Sequence, residues 1–354
     1  MSVRYYLFVA LVLLGAVDTV FAAQRTFVAS NGLDTNSCSI GAPCRSFAAA
    51  IAQTAVGGEV LVVDSAGYGP VTIAKSVSLI SPSGVYAGIS VSIGAGVTVD
   101  AAGAVVVLRG VSINGQGGGN GVDVVHVARL RVEGCVISRM GTSGIRNNAS
   151  GSEMIVVDTI VRDNGGGITI AADLTALIDH VRSEHNSFDG LYIGPATGDA
   201  TLTVTDSVFA FNGINGINVA AAAGANVYAQ VERTTLSRNG GQGIALTASS
   251  SGGTARAMLT RNAIQRNAGN GILMSGAAPG SVGGFISENA VHANGGNGIN
   301  VQGSVDTNAS ANTVGGNGDS AFNCGTGSAI RTQSNNSADG YQSIGGCFFF
   351  NPGL

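Results

Sequence analysis

A glycine followed by an aliphatic residue returns along most of this chain at a spacing that few folds accept. The step occurs at Gly121, Gly144, Gly167, Gly190, Gly216, Gly243, Gly271 and Gly298, followed by Val122, Ile145, Ile168, Leu191, Ile217, Ile244, Ile272 and Ile299. The intervals are 23, 23, 23, 26, 27, 28 and 27 residues. An asparagine stands four positions before most of these glycines, at Asn186, Asn212, Asn239, Asn267 and Asn294, and three before at Asn164. A period of roughly 20–50 residues belongs to solenoids and arrays.

The rhythm inside each unit selects among them. Leu202-Thr203-Val204, Ile217-Asn218-Val219 and Ile299-Asn300-Val301 alternate apolar and polar, which reads as strands of three to five residues. No unit holds a helical stripe, which excludes helical repeats and argues against leucine-rich repeats. Short strands separated by Gly/Asn turns predict an all-β parallel β-helix, its coils stacked about 4.8 Å apart. A lone coil buries too few aliphatic side chains to offset the entropy of ordering its backbone, so each depends on its neighbours. In this arrangement the asparagines form an inward ladder at Asn164, Asn186, Asn212, Asn239, Asn267 and Asn294, bonding turn amides that no sheet covers.

The ends differ from the middle. Arg4, the apolar run Tyr5–Val17 and Val20-Phe21-Ala22 have the layout of a secretory signal peptide, with cleavage expected after Ala22. The run is too short for a membrane span, and none is expected later. Residues 23–59 are expected to form a cap with a short helix over Ser46–Val56, because Phe47 and Ile51 lie four apart in an Ala-rich stretch. Coils are expected over 60–303, including strands at Val60–Val63, Val71–Ile73, Val77–Ile80, Ile89–Ile93, Val97–Val99 and Val105–Ile113. Residues 304–354 are expected to hold a last coil and a tail, where Phe348-Phe349-Phe350 would plug the end. Export permits disulfides, and the pairs Cys38/Cys44 and Cys324/Cys347 are placed as end staples. Cys135, at a repeat position, is expected to be a buried free thiol.

The units Asn-x-x-x-Gly-Ile from 164 to 301, with Asn31-Gly32-Leu33-Asp34, Pro43-Cys44-Arg45-Ser46-Phe47, Gly57-Gly58-Glu59-Val60 and Gly67-Tyr68-Gly69, resemble the right-handed parallel β-helix proteins of the pectin-lyase-like superfamily, in particular exported bacterial ones. The resemblance spans about residues 25–303 and implies the fold far more than any activity. The polygalacturonase strings Asn-Thr-Asp, Asp-Asp, Gly-His-Gly and Arg-Ile-Lys are absent, as is the Arg-x-Pro-x-x-Arg of pectate lyases. Ile178-Asp179-His180 is similar to the Trp-Ile-Asp-His of those lyases, with Leu177 in place of Trp.

Stacking turns the period into columns. Six residues before each Asn stand Asp158, His180, Asp206, Arg233, Arg261 and Glu288, and a second column just before the Asn turn holds Arg139, Asp163, His185, Phe211, Arg238 and Arg266. Asp158 and Asp206 would then lie about 9.6 Å apart, near the spacing of an inverting glycosidase's carboxyl pair. A catalytic reading makes them acid and base, with His180 as proton shuttle and Arg182 as carboxylate clamp. A binding reading uses Arg233, His185, Phe211 and Arg238 to hold a polysaccharide or a cell-surface component along the flank. A third reading is a scaffold whose charge rows discourage sideways strand pairing. The net charge of −4 gives no basic footprint for nucleic acid. No spacing of His and Cys suits a metal, and no motif calls for a cofactor, so neither is expected.

Overall fold

Each coil spends its residues on three strands, and each strand pairs only with its counterparts in the coils before and after it. A computed structural model describes residues 22–332 and 335–338. Three parallel sheets of 13, 12 and 11 strands run the length of the stack. One coil illustrates the order. Glu153–Val157 lies in the first sheet, Ile160–Arg162 in the second and Gly166–Ile170 in the third, after which Thr175–Asp179 begins the next coil. Registers are direct, so Ile168, Leu191, Ile217, Ile244, Ile272 and Ile299 stack as one fully buried file.

Two hooks bend every coil. Between the first and second sheets one residue takes the left-handed conformation, at Asp158, His180, Asp206, Arg233, Arg261 and Glu288, with φ from 48° to 58°. Between the second and third sheets the same is done by Arg139, Asp163, His185, Phe211, Arg238 and Arg266, with φ from 55° to 60°. Such a φ is costly for residues with a Cβ, most of all for β-branched ones, and none of these twelve is β-branched. The residue after each hook points inward. At the second hook this is Met140 after Arg139, then Asn164, Asn186, Asn212, Asn239 and Asn267, with Asn294 following Ala293 (φ 55°) one coil on. The Asn212 Oδ1 accepts from the backbone N–H and Nδ2 of Asn186 (3.2 and 3.0 Å), while its own Nδ2 donates to the Ser183 carbonyl and to Asn239 Oδ1 (3.1 and 3.0 Å). The repeating glycines make room for this ladder. A Cβ on Gly216 would stand 2.6 Å from the Gly243 carbonyl oxygen and 3.0 Å from Asn239 Nδ2.

A further ladder precedes the glycines, where Asp189, Asn215 and Asn270 accept backbone N–H bonds from the next coil at 2.8–2.9 Å. The cap helix covers Phe47–Gln53, shorter than the sequence suggests, because Thr54 already enters the strand Thr54–Val62. Ser46 Oγ caps it by accepting from the Ala49 N–H, and Phe47 packs on Tyr68 with ring centroids 5.2 Å apart. The stretch Val105–Ile113 is two strands, Val105–Arg109 and Val111–Gly115, hinged at Gly110 with φ 70°. Coils persist beyond Val301 through Val305–Ser310, Thr313–Gly315, Phe322–Cys324, Ser328–Thr332 and Ser337–Ala338. There Ala321 replaces the glycine, so the repeat is hidden while the fold continues.

Cys38 and Cys44 form a disulfide, and Cys135 is free and buried. Cys324 is buried, whereas Cys347, the C-terminal aromatics and the apolar N-terminal run lie outside the described residues. Among the described residues no helix is long and apolar enough to cross a membrane.

Candidate functional site

The first hook carries the residues of the catalytic reading, and ion pairing there changes what they can do. Arg233 binds Asp206 in a two-pronged bridge, Nε and Nη2 each 2.8 Å from a carboxylate oxygen, and also contacts Glu232. Arg261 pairs with Glu288 at 2.8 Å. The hydrogen bond and charge of Arg233 hold the Asp206 carboxyl below the usual carboxylate range, against a smaller opposing effect of burial. Asp206 is therefore the wrong group for a general acid near neutral pH. Arg182, expected as a carboxylate clamp, donates to Glu184 at 2.8 Å instead. His180 is exposed and its Nδ1 lies 3.0 Å from Asp179 Oδ1. Thr205 Oγ1 donates to the same Asp179 oxygen at 2.6 Å. The hydrogen bond to Asp179 raises the His180 pKa, with the charges of Asp179, Asp206 and Asp158 adding to it. Asp179, His180 and Asp206 bring ligand atoms within 4.8 Å of one another, but a cation there would compete with Arg233, which already bonds each oxygen of Asp206.

At the second hook His185, Phe211 and Arg238 come together on three successive coils, while Arg233 stands apart on the first hook. His185 stacks on Phe211 at 4.8 Å with rings 6° from parallel, and the Arg238 guanidinium lies 5.3 Å from the Phe211 centroid. Neighbours from the preceding and following coils thus cover the ring faces. Phe211 is 44% exposed, but it offers a rim and not the open platform expected for a sugar.

A different face assembles more polar chemistry. On the outside of the third sheet, Asp123, Arg146, Thr169, Tyr192 and Asn218 stand directly opposite one another on five consecutive coils. At one end His126 Nδ1 meets Asp100 Oδ1 at 2.7 Å. Arg146 Nε and Nη2 each reach the Asn148 amide oxygen at 3.2 Å when that amide is turned toward them. Ser143 and Thr169 share a hydroxyl bond of 3.0 Å, and Asn218 Nδ2 donates to Asp189 Oδ2 at 3.0 Å. Asp123 Oδ1 is buried and has no hydrogen-bond partner among the described residues. Burial, with the charge of Asp189 adding to it, raises the Tyr192 pKa and keeps its hydroxyl protonated. These residues escaped the sequence reading because their identities differ from coil to coil. The signal was the place after the aliphatic of each Gly-aliphatic step, which alternation turns outward.

A family model described as the right handed beta helix region matches residues 95–255 and 223–353. No curated protein sequence matches the chain. Among solved structures, the chain is similar to the A-module of the mannuronan C-5 epimerase AlgE4 of Azotobacter vinelandii, at 14% identity and a TM-score of 0.58, covering 84% of this chain and 90% of that one. It is similar to the pectate lyase Pel9A at 17% identity and a TM-score of 0.53, covering 93% and 81%. The enzymatically active domain of tailspike protein 2 of bacteriophage CBA120 aligns at 13% identity and a TM-score of 0.52, covering 82% and 47%. At these identities the likeness is one of fold.

Proposed function

Because the chain belongs to the right-handed parallel β-helix family of the pectin-lyase-like superfamily, whose stacking presents one side chain per coil at a fixed pitch, we propose that it is an exported protein that binds a polysaccharide along the third sheet. The observation that carries this reading is the register of Asp123, Arg146, Thr169, Tyr192 and Asn218, a row of donors and acceptors spaced about 4.8 Å apart. A sugar chain repeats hydroxyl groups along its length, so a periodic row can serve successive residues. The Cys38–Cys44 disulfide and the signal-like N-terminal sequence support export. That solved chains of this fold include an epimerase of mannuronan and a pectate lyase supports the substrate class.

The test is affinity electrophoresis of the purified chain in gels containing acidic or neutral polysaccharides. Retardation by one of them is expected, with apparent affinity reduced about tenfold in Tyr192→Ala or Arg146→Ala, the loss of one or two hydrogen bonds. Unretarded migration in every gel overturns the reading. Catalysis is a second reading, favoured by the Asp100–His126 contact at the far end of the strand that carries Asp123. In that case His126 would move a proton, oriented by Asp100, and Asp123 would face the reacting sugar. Release of reducing or unsaturated ends that Asp123→Asn abolishes would support it.

A further inference from the structure

A recess opens on the outside of the first sheet, on a different flank from the row just described. Across consecutive coils one outward row reads Tyr228, Arg256, Gly283 and Asp306, and the adjacent one Gln230, Met258, Phe285 and Asn308. Gly283 is the origin of the recess. It bears no side chain between Arg256 and Asp306, and a Cβ there would stand 2.5 Å from the Asp306 carbonyl oxygen and 2.9 Å from Arg256 Nη1. The Arg256 side chain therefore lies over the glycine. A groove of about 440 Å³ results, bounded by Phe285 and the Arg331–Asp306 ion pair of 2.7 Å. A second hollow of about 280 Å³ continues it along Tyr228 and Met258, with Arg256 and Phe285 lining both.

The lining combines two features seldom left idle. Tyr228, Met258 and Phe285 are 48%, 47% and 56% exposed, an aromatic and thioether patch on three successive coils. Arg256, in its midst, has no hydrogen bond or ion pair among the described residues, whereas Arg233, Arg261 and Arg331 all have carboxylate partners. Two aromatic side chains flanking a free guanidinium suit a ring that is apolar on its faces and carries a carboxylate at its edge. We infer that this groove is a second binding site, for an acidic saccharide, whose sugar face packs on Tyr228 or Phe285 and whose carboxylate pairs with Arg256.

Calorimetric titration of the full chain with trigalacturonate, and with maltotriose as a neutral control, tests the inference independently of the third-sheet row. Saturable binding of trigalacturonate alone is expected. Arg256→Gln should weaken it about tenfold, the loss of a charge-assisted bond, with the thermal midpoint unchanged. Tyr228→Ala and Phe285→Ala should each weaken it several-fold, and Arg146→Ala should leave it intact. Equal binding of maltotriose, no binding, or undiminished affinity in Arg256→Gln overturns the site. Loss in Arg146→Ala with none in Arg256→Gln overturns it while leaving the third-sheet reading in place. A dimer that Phe285→Ala dissociates would identify the patch as a protein interface and also overturn it.

Discussion

The two hooks of each coil share a backbone but not a filling. At the second hook the inward residue is asparagine from Asn164 through Asn294, without a break. At the first hook the equivalent file runs Cys135, Thr159, Val181, Ser207 and Thr234 before becoming Asn262, Asn289 and Asn312. The difference lies in what each side chain can bridge. An asparagine offers both acceptor and donor to other coils, as Asn262 does in accepting from the Thr234 N–H (3.0 Å) and donating to the Val231 carbonyl and Asn289 Oδ1 (2.9 and 3.0 Å). A hydroxyl accepts from the coil before but donates within its own coil, as Ser207 Oγ does in accepting from the Val181 N–H (3.0 Å) and donating to the Thr205 carbonyl (2.7 Å). Val181 does neither. The backbone hook therefore survives where the inward side chain itself bonds to no other coil, and the asparagines act as cement between coils.

The comparison breaks most readily at its stronger side. Asn212→Ala removes the acceptor of the Asn186 N–H and the donor to the Ser183 carbonyl, both buried. Each orphaned group costs about 1–3 kcal/mol, so a loss of about 3 kcal/mol or more is expected by denaturant unfolding. Hydrogen exchange should quicken first at Asn186 and its neighbours. An Asn212→Ala chain as stable as wild type would show that the ladder is filler. The weaker side allows a repair. Val181→Thr is nearly isosteric and would give the Thr159 N–H an acceptor and the Asp179 carbonyl a donor, following Ser207 one coil later. A gain of about 1 kcal/mol is expected in the same measurement, and a loss would mean that the first hook is tuned for apolar packing.

The outward residues of the hooks separate in a similar way. Arg233→Gln removes a two-pronged but solvent-exposed bridge, and exposed pairs contribute about 0–1 kcal/mol. Its effect on unfolding should stay below about 1 kcal/mol and fade further with added salt. A larger effect would mean that the charge row holds the first hook closed.

How far the sequence disclosed the molecule follows the same division. The Gly-aliphatic step and its asparagine are legible because packing enforces one identity in nearly every coil, as the Cβ clash at Gly216 illustrates. The first-hook ladder passes unread because Cys135, Thr159, Val181 and Ser207 meet one geometric demand with four chemistries. The hook columns were placed by counting, yet counting says nothing about rotamers. The bridge from Arg233 to Asp206 and the sandwich around Phe211 depend on which way long side chains turn, and both altered the roles first assigned there. The third-sheet row was hidden for a different reason. A surface proposed to bind a ligand has no cause to repeat one residue, so periodic analysis finds the repeated structural positions and passes over such a row.

The finest distinction between the hooks is electrostatic. His180, at the first hook, lies 3.0 Å from Asp179 with Asp158 and Asp206 nearby, and its pKa is raised, first by the hydrogen bond to Asp179 and then by these charges. Its titration by NMR should have a midpoint above the ordinary histidine value of about 6.5. Asp179→Asn should move that midpoint back toward the ordinary value. A group whose pKa is higher folded than unfolded favours the folded state when protonated. The contribution is therefore complete below the unfolded-state value of about 6.5 and is lost as the pH rises through the higher folded value. Because the imidazole is exposed, the change in unfolding midpoint across that window should be slight and should vanish in His180→Gln. A midpoint at or below the ordinary value would mean that His180 faces water and not Asp179, and the first hook would then lack this contact near neutral pH.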